Sequence, residues 1–111
     1  MSIIINDKDK YKRLLKMSNP EIVLQNAIKY FNDPKIELYI SGSGCFKYMI
    51  YSPSMKKINF GDINYEDYTK HNNEERRDNY LKRSESIRGN WKEDKYSKNN
   101  LSRILLWDAK Y

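Results

Sequence analysis

The stretch that decides the fold is Ile36–Gly61, IELYISGSGCFKYMIYSPSMKKINFG. Ile36, Leu38 and Ile40 alternate with Glu37, Tyr39 and Ser41, and beyond Gly42-Ser43-Gly44 a second run alternates Phe46, Tyr48 and Ile50 with Lys47, Met49 and Tyr51. A period of two sends successive side chains to opposite faces of a strand, so this is a hairpin signature. Ser52-Pro53-Ser54 supplies a further turn, and Lys57-Ile58-Asn59-Phe60 a third short strand. A three-stranded antiparallel meander with one apolar face follows, and a helix laid on that face would close a core. The glycine turn lacks the G-x-x-x-x-G-K-[ST] spacing whose amides and lysine hold phosphates, and it reads as a hairpin loop without a ligand.

Upstream, Asp9 to Met17 reads as a short helix. Ser18-Asn19-Pro20-Glu21 then starts a second: a capping side chain, proline at the first helical position and an acid in the first turn. On a helical wheel Val23, Leu24, Ala27, Ile28, Tyr30 and Phe31 gather on one side, while Glu21, Gln25, Asn26, Lys29 and Asn32 take the other. Asn32-Asp33-Pro34 ends it. The expected architecture is α+β: residues 1–34 as an N-terminal helical arm, and residues 35–111 as a small domain with a three-stranded antiparallel sheet packed with short helices, one globular unit in all.

The totals bound the function. A chain of 111 residues fits one domain. Hydrophobic residues make up only 39%, but ten tyrosines, three phenylalanines and two tryptophans supply large groups that can fill a core. One cysteine, Cys45, excludes an internal disulfide and indicates a reducing compartment, and with one histidine, His71, no Cys/His metal cluster can be assembled. No cofactor, metal or small-molecule substrate is expected. The apolar runs Ile3–Ile5 and Ile104–Trp107 are far shorter than the ~20 residues that span a bilayer, and no signal-peptide pattern follows Met1, so a soluble protein without membrane insertion and not secreted is expected.

A net charge of +6 and a pI near 9.3 suit an acidic partner such as nucleic acid. The charge is spread: residues 1–34 carry six basic and four acidic groups, 35–61 four and one, 62–111 eleven and ten. The abundance of Asn, Lys, Ile and Tyr is what an AT-rich genome encodes, so part of the basic excess is open to a compositional explanation.

From Asn64 to Arg83, NYEDYTKHNNEERRDNYLKR crowds tyrosines, carboxylates, a histidine and arginines together. Asn72 or Asn73 can cap a helix reaching about Ile87, with Glu74 and Glu75 placed well for the helix dipole. Glu74, Glu75, Asp78, Lys82 and Glu85 share a solvent face, and Tyr80 and Ile87 lie opposite, flanked by Arg76, Arg77, Arg83 and Arg88. Three readings stay open. The arginines can pair inside the fold with Glu66, Asp67 or Asp62. Alternatively Arg76, Arg77, Arg83 and Arg88 can clamp phosphates while Tyr68, Tyr80 or Trp91 stack on bases, although ten acids nearby repel a polyanion. A weaker reading makes His71, Glu66 and Asp67 the groups of an enzyme or host-directed inhibitor, but no positioned nucleophile accompanies them.

In NNLSRILLWDAKY, Asn100 can cap a short helix whose Leu101, Ile104, Leu105, Leu106 and Trp107 spread around nearly the whole circumference. Such a helix needs cover on several sides, from its own chain between the sheet and the Glu74 helix or from a partner. These five residues are the candidate partner contact.

Phe60-Gly61, Tyr65-Glu66-Asp67-Tyr68-Thr69-Lys70-His71, Arg76-Arg77, Tyr80-Leu81, Arg83, Trp91 and Ser102-Arg103-Ile104-Leu105-Leu106-Trp107 together resemble a family of small, functionally uncharacterised proteins of large DNA viruses that infect algae and amoebae. The likeness covers roughly residues 58–107. It departs at Asn64, where a glycine is usual, at Ser84, where a histidine is common, and at Leu101, where an aromatic is usual. The resemblance implies a virion or host-cytoplasmic (viral factory) setting and no particular chemistry. The leading expectation is a non-enzymatic viral structural or assembly protein, a minor virion or capsid-associated component that contacts other viral proteins or itself. Nucleic-acid binding is the alternative.

Overall fold

A computed structural model describes residues 2–108; Met1 and residues 109–111, which the expected arm and domain take in, lie outside them. Four strands form one sheet, β1 (Ser2–Ile4), β2 (Glu37–Ile40), β3 (Phe46–Tyr51) and β4 (Lys57–Asp62), in the order β1-β2-β3-β4. The α+β class holds, but the sheet corrects the three-stranded antiparallel expectation. β2, β3 and β4 make the meander, with Tyr39 opposite Met49 and Tyr48 opposite Phe60. β1 adds a parallel fourth strand, Ile3 opposite Leu38. Three residues are too few to show a period of two, so Ile3-Ile4-Ile5 carries no strand signal of its own. A parallel pair also needs a long crossover. The N-terminal segment provides it through α1 (Lys8–Leu15) and α2 (Pro20–Phe31), so that segment is not helical throughout.

The helices begin and end where local chemistry dictates. Asp7 caps α1 by accepting the N–H groups of Asp9 and Lys10, each at 3.1 Å. Pro20 opens α2, and Asn32 closes it in the left-handed region at φ 50° while the Asp33 N–H bonds back to the Ile28 carbonyl. Leu14, Val23, Leu24 and Ala27 pack with Leu38, Ile40, Tyr48, Ile50, Ile58 and Phe60 as a single core. Asn26, which the wheel sets on the polar side, is buried because its amide donates to the Leu105 carbonyl at 2.9 Å.

The C-terminal half adds α3 (Tyr68–His71), α4 (Glu74–Glu85), a 3-10 turn (Trp91–Glu93) and α5 (Lys98–Leu101), which runs on into a π-helical segment, Ser102–Trp107. Asn73 caps α4 by accepting the Arg76 N–H at 3.0 Å. The last helix is capped by Ser97, whose hydroxyl accepts the Asn100 N–H at 3.1 Å. Asn100 itself is buried, its amide bonded to the carbonyls of Trp91 and Asp94 at 2.6 and 2.9 Å. A turn forms at Asn64 without the glycine that is usual there: the Asp62 carboxylate accepts the Asn64 N–H at 2.9 Å and the Asp62 carbonyl the Tyr65 N–H.

Candidate binding cleft

Lys47 lies on the strand face that alternation assigns to solvent, yet it is 2% exposed. Gly61 explains this. The pairing of Phe46 with Asp62 and Tyr48 with Phe60 sets Lys47 beside Gly61, whose φ of +80° an L side chain rarely adopts. A Cβ on Gly61 would lie 2.7 Å from Leu106 Cδ1 and 3.4 Å from the Lys47 stem, so the missing side chain is the space in which those two groups meet.

The Lys47 ammonium donates to Asp67 Oδ2 at 3.0 Å, and Asp67 is fully buried. Asp67 also caps α3, accepting the Thr69 N–H at 3.0 Å and the Thr69 hydroxyl. Thr69 Oγ1 accepts the Asn19 N–H at 3.0 Å and lies 3.3 Å from Ser18 Oγ, which accepts the Tyr48 hydroxyl at 2.7 Å. A buried polar chain thus ties β3, the α1–α2 junction and α3 together. Burial pushes Lys47 below the usual lysine range, although Asp67 acts in the opposite direction. Burial likewise lifts the Tyr48 phenol well above its ordinary value.

In front of this chain a cleft of about 980 Å³ opens between the β3–β4 end of the sheet and α4. Its floor is Lys47, Gly61, Leu106 and Trp107. The α4 wall presents Arg76, Tyr80 and Arg83, spaced for one helical face, with Ile87 just beyond its C-terminal end, and Asp62, Tyr65 and Glu66 form the opposite lip. Tyr80 and Trp107 stack at 4.3 Å with 9° between their planes. Burial raises the Tyr80 phenol, partly offset by its hydrogen bond with Ser102. The π-helical segment closes with a bond from the Asp108 N–H to the Arg103 carbonyl, five residues back, and brings Ser102, Leu106 and Trp107 to the cleft together. π-helical turns are rare and recur at functional sites.

The arginines divide. Arg76 pairs with Glu66 at 3.4 Å across the lip, as the internal-pairing reading expects. Arg77 is drawn inside, donating to the Trp107 carbonyl at 3.1 Å and to Asp108 at 2.6 Å, with its guanidinium 5.6 Å from the Tyr68 ring centre. Arg83 and Arg88 are exposed and meet no carboxylate at ion-pair distance among the described residues. Trp91 is half-buried under the Arg103 guanidinium and donates to the Ile87 carbonyl at 2.6 Å, so its ring is engaged within the chain. The structure therefore does not gather Arg76, Arg77, Tyr80, Arg83, Arg88 and Trp91 on one surface.

The C-terminal candidates sit inside. Leu101, Leu105 and Leu106 are 0–2% exposed, and Ile104 and Trp107 are half-buried against the same core. Nor do His71, Glu66 and Asp67 form a set: Glu66 faces Arg76, and Asp67 serves Lys47 and Thr69. His71 Nδ1 accepts the Asn73 N–H at 2.9 Å, leaving Nε2 to carry the proton, buried beside Trp107 and without a hydrogen-bond partner among the described residues. Desolvation, and then Arg76, hold His71 below the usual histidine range.

The sequence reading missed Lys47, Ser18, Thr69 and Tyr48 as a network. Two signals were present: the lone glycine at the end of a strand, and Asp67 placed to cap Tyr68-Thr69-Lys70-His71. Among the described residues no group of three or more His, Cys, Asp or Glu is placed to hold a metal ion. No helix of these residues is long and apolar enough to cross a membrane.

Residues 36–84 match DUF5754, a family of unknown function. The match covers less than half of the 111 residues; it takes in the meander, α3 and nearly all of α4. No curated protein matches the chain, and no solved structure does.

Proposed function

We propose that the protein is a non-enzymatic assembly component of a large DNA virus, a minor virion or capsid-associated protein that works by holding a segment of another viral protein in the cleft between α4 and the sheet. The observation that carries this reading is the placement of Tyr65 (65% exposed) and Ile87 (52%) on opposite lips of one cleft whose floor is Leu106 and Trp107. Exposed apolar groups gathered around a concavity mark contact sites. The viral setting, virion or factory, rests on the motif resemblance over residues 58–107.

The lining also describes the occupant. A partner side chain that is apolar fits against Leu106 and Trp107, and a carboxylate beside it meets Arg83, the wall guanidinium with no carboxylate at ion-pair distance among the described residues. The contact thus shifts from the C-terminal run, whose leucines are used inside the chain, to the cleft that this run floors. The alternative, nucleic acid on α4, is favoured by the exposed Arg83 and Arg88 and opposed by Glu74, Glu75 and Asp78 on the same helix.

Photo-crosslinking residues introduced at Tyr65 and Ile87, with Met55 on the remote β3–β4 turn as control, test the reading in assembling particles. The expected result is one viral protein joined from both cleft positions and not from Met55. Crosslinks only between copies of this chain would replace the partner with self-association. Equal patterns from all three positions, or nucleic acid joined at the cleft, would overturn the proposal.

A further inference from the structure

A second groove, of about 550 Å³, shares no lining residue with the cleft and lies between the β3–β4 turn and the loop that leads into α5; at its α5 end the Lys98 ammonium stands 4.5 Å from the ring centre of Phe46, which lines the cleft. Lys56, Lys57 and Lys98 line it together with Ser54 and Ser97, and Asp94 is the carboxylate in that lining. Among the described residues none of the three lysines has a carboxylate at ion-pair distance. The Asp94 carboxylate is engaged in its own turn, accepting the Tyr96 N–H at 2.9 Å. Lys95 extends the positive surface, its ammonium 5.1 and 5.3 Å from the ring centres of Tyr30 and Phe31. Tyr96, stacked on Phe31 at 5.0 Å, forms an aromatic wall of the groove.

This placement agrees with the charge pattern along the chain. Residues 35–61, with four basic groups and one acid, are the most one-signed part of the sequence, and two of those lysines stand here. On α4, by contrast, Arg77 is spent internally, Arg76 faces Glu66, and the first turn carries Glu74 and Glu75.

We infer that the Lys56–Lys57–Lys98 groove is a phosphate-backbone track for single-stranded nucleic acid, lined by residues other than those of the protein contact in the cleft. Lysine ammonium groups neutralise phosphates without reading bases, and an aromatic wall beside them is the combination that non-specific single-strand binders use. Binding is sequence-tolerant and governed by salt.

Fluorescence anisotropy of a labelled oligothymidylate tests this with the full chain. Three neutralised phosphates give a log-log salt slope of about −2, or an affinity loss of about twentyfold between about 50 and 200 mM salt. The Lys56→Gln, Lys57→Gln, Lys98→Gln variant, with its melting temperature checked against the parent, should bind at least tenfold more weakly and with a flattened slope. An Arg88→Gln variant should bind at least half as tightly as the parent. The inference fails if the parent does not bind at low salt, if the lysine variant binds like the parent, or if the arginine variant loses as much affinity as the lysine variant. It fails equally if phosphatidylserine vesicles are bound and the oligonucleotide is not.

Discussion

Replacing Lys47 by Met removes the ammonium and keeps most of the stem, which isolates the charge of the buried pair. Lys47 and Asp67 are 2% and 0% exposed and meet at 3.0 Å, so neither partner has water to turn to. Losing one member of such a pair costs about 3–5 kcal/mol, mostly because the other charge is left uncompensated. The Asp67 carboxylate keeps the Thr69 N–H and hydroxyl as donors, which places the cost at the lower end, about 3 kcal/mol. For a domain of this size that is a fall in melting temperature of about 12 °C, at about 4 °C per kcal/mol. Urea titration should show the midpoint falling with an unchanged slope, because the surface exposed on unfolding is nearly the same. The double variant Lys47→Met, Asp67→Asn should recover about 2 kcal/mol of the summed single costs, since no unpaired charge remains and the asparagine oxygen can still accept from Thr69. Single costs below about 1 kcal/mol that simply add would refute the reasoning, showing that the two groups reach water or other partners.

Two further outcomes follow from single positions. Gly61→Ala should cost about 2–4 kcal/mol in urea, from the left-handed backbone and from pressing a methyl group onto the buried Leu106; a neutral substitution would mean that Leu106 moves freely. His71 has a folded pKa below its unfolded value, so its contribution is fully present above the unfolded value of about 6.5 and is lost as pH falls through the folded pKa. Acidification from neutral pH should therefore lower the urea midpoint of the parent more than that of His71→Gln, and parallel midpoint curves would contradict the burial of Nε2.

Alternation and capping chemistry made much of the fold legible. Leu38, Ile40, Tyr48, Ile50, Ile58 and Phe60 fall on the core side as the period of two requires, and Pro20 and Asn73 start their helices where they should. What escaped depends on contacts distant in sequence. Ile3 becomes a strand residue only because Leu38 offers it a parallel partner, and Lys47 is buried only because Gly61 and Asp67 make room and charge for it. The cleft is of the same kind. Tyr80, Ile87 and the arginine border can be read from one helical wheel, whereas the opposing lip at Tyr65 and the floor at Leu106 and Trp107 come from segments that a wheel cannot bring together. The all-round apolar character of the last helix was visible, but not whether its cover would come from this chain or from another.

That cover is the point on which the account turns: the Leu101–Trp107 run belongs to the core and floors the cleft, so it is not free to dock elsewhere. Burying Leu101, Leu105 and Leu106 contributes about 2 kcal/mol each, comparable in sum to the whole stability of an ordinary domain. Calorimetry of the chain ended after Asn99 tests this directly. The account predicts that the cooperative transition is lost, and a shortened chain that still melts cooperatively near the full-length temperature would contradict it.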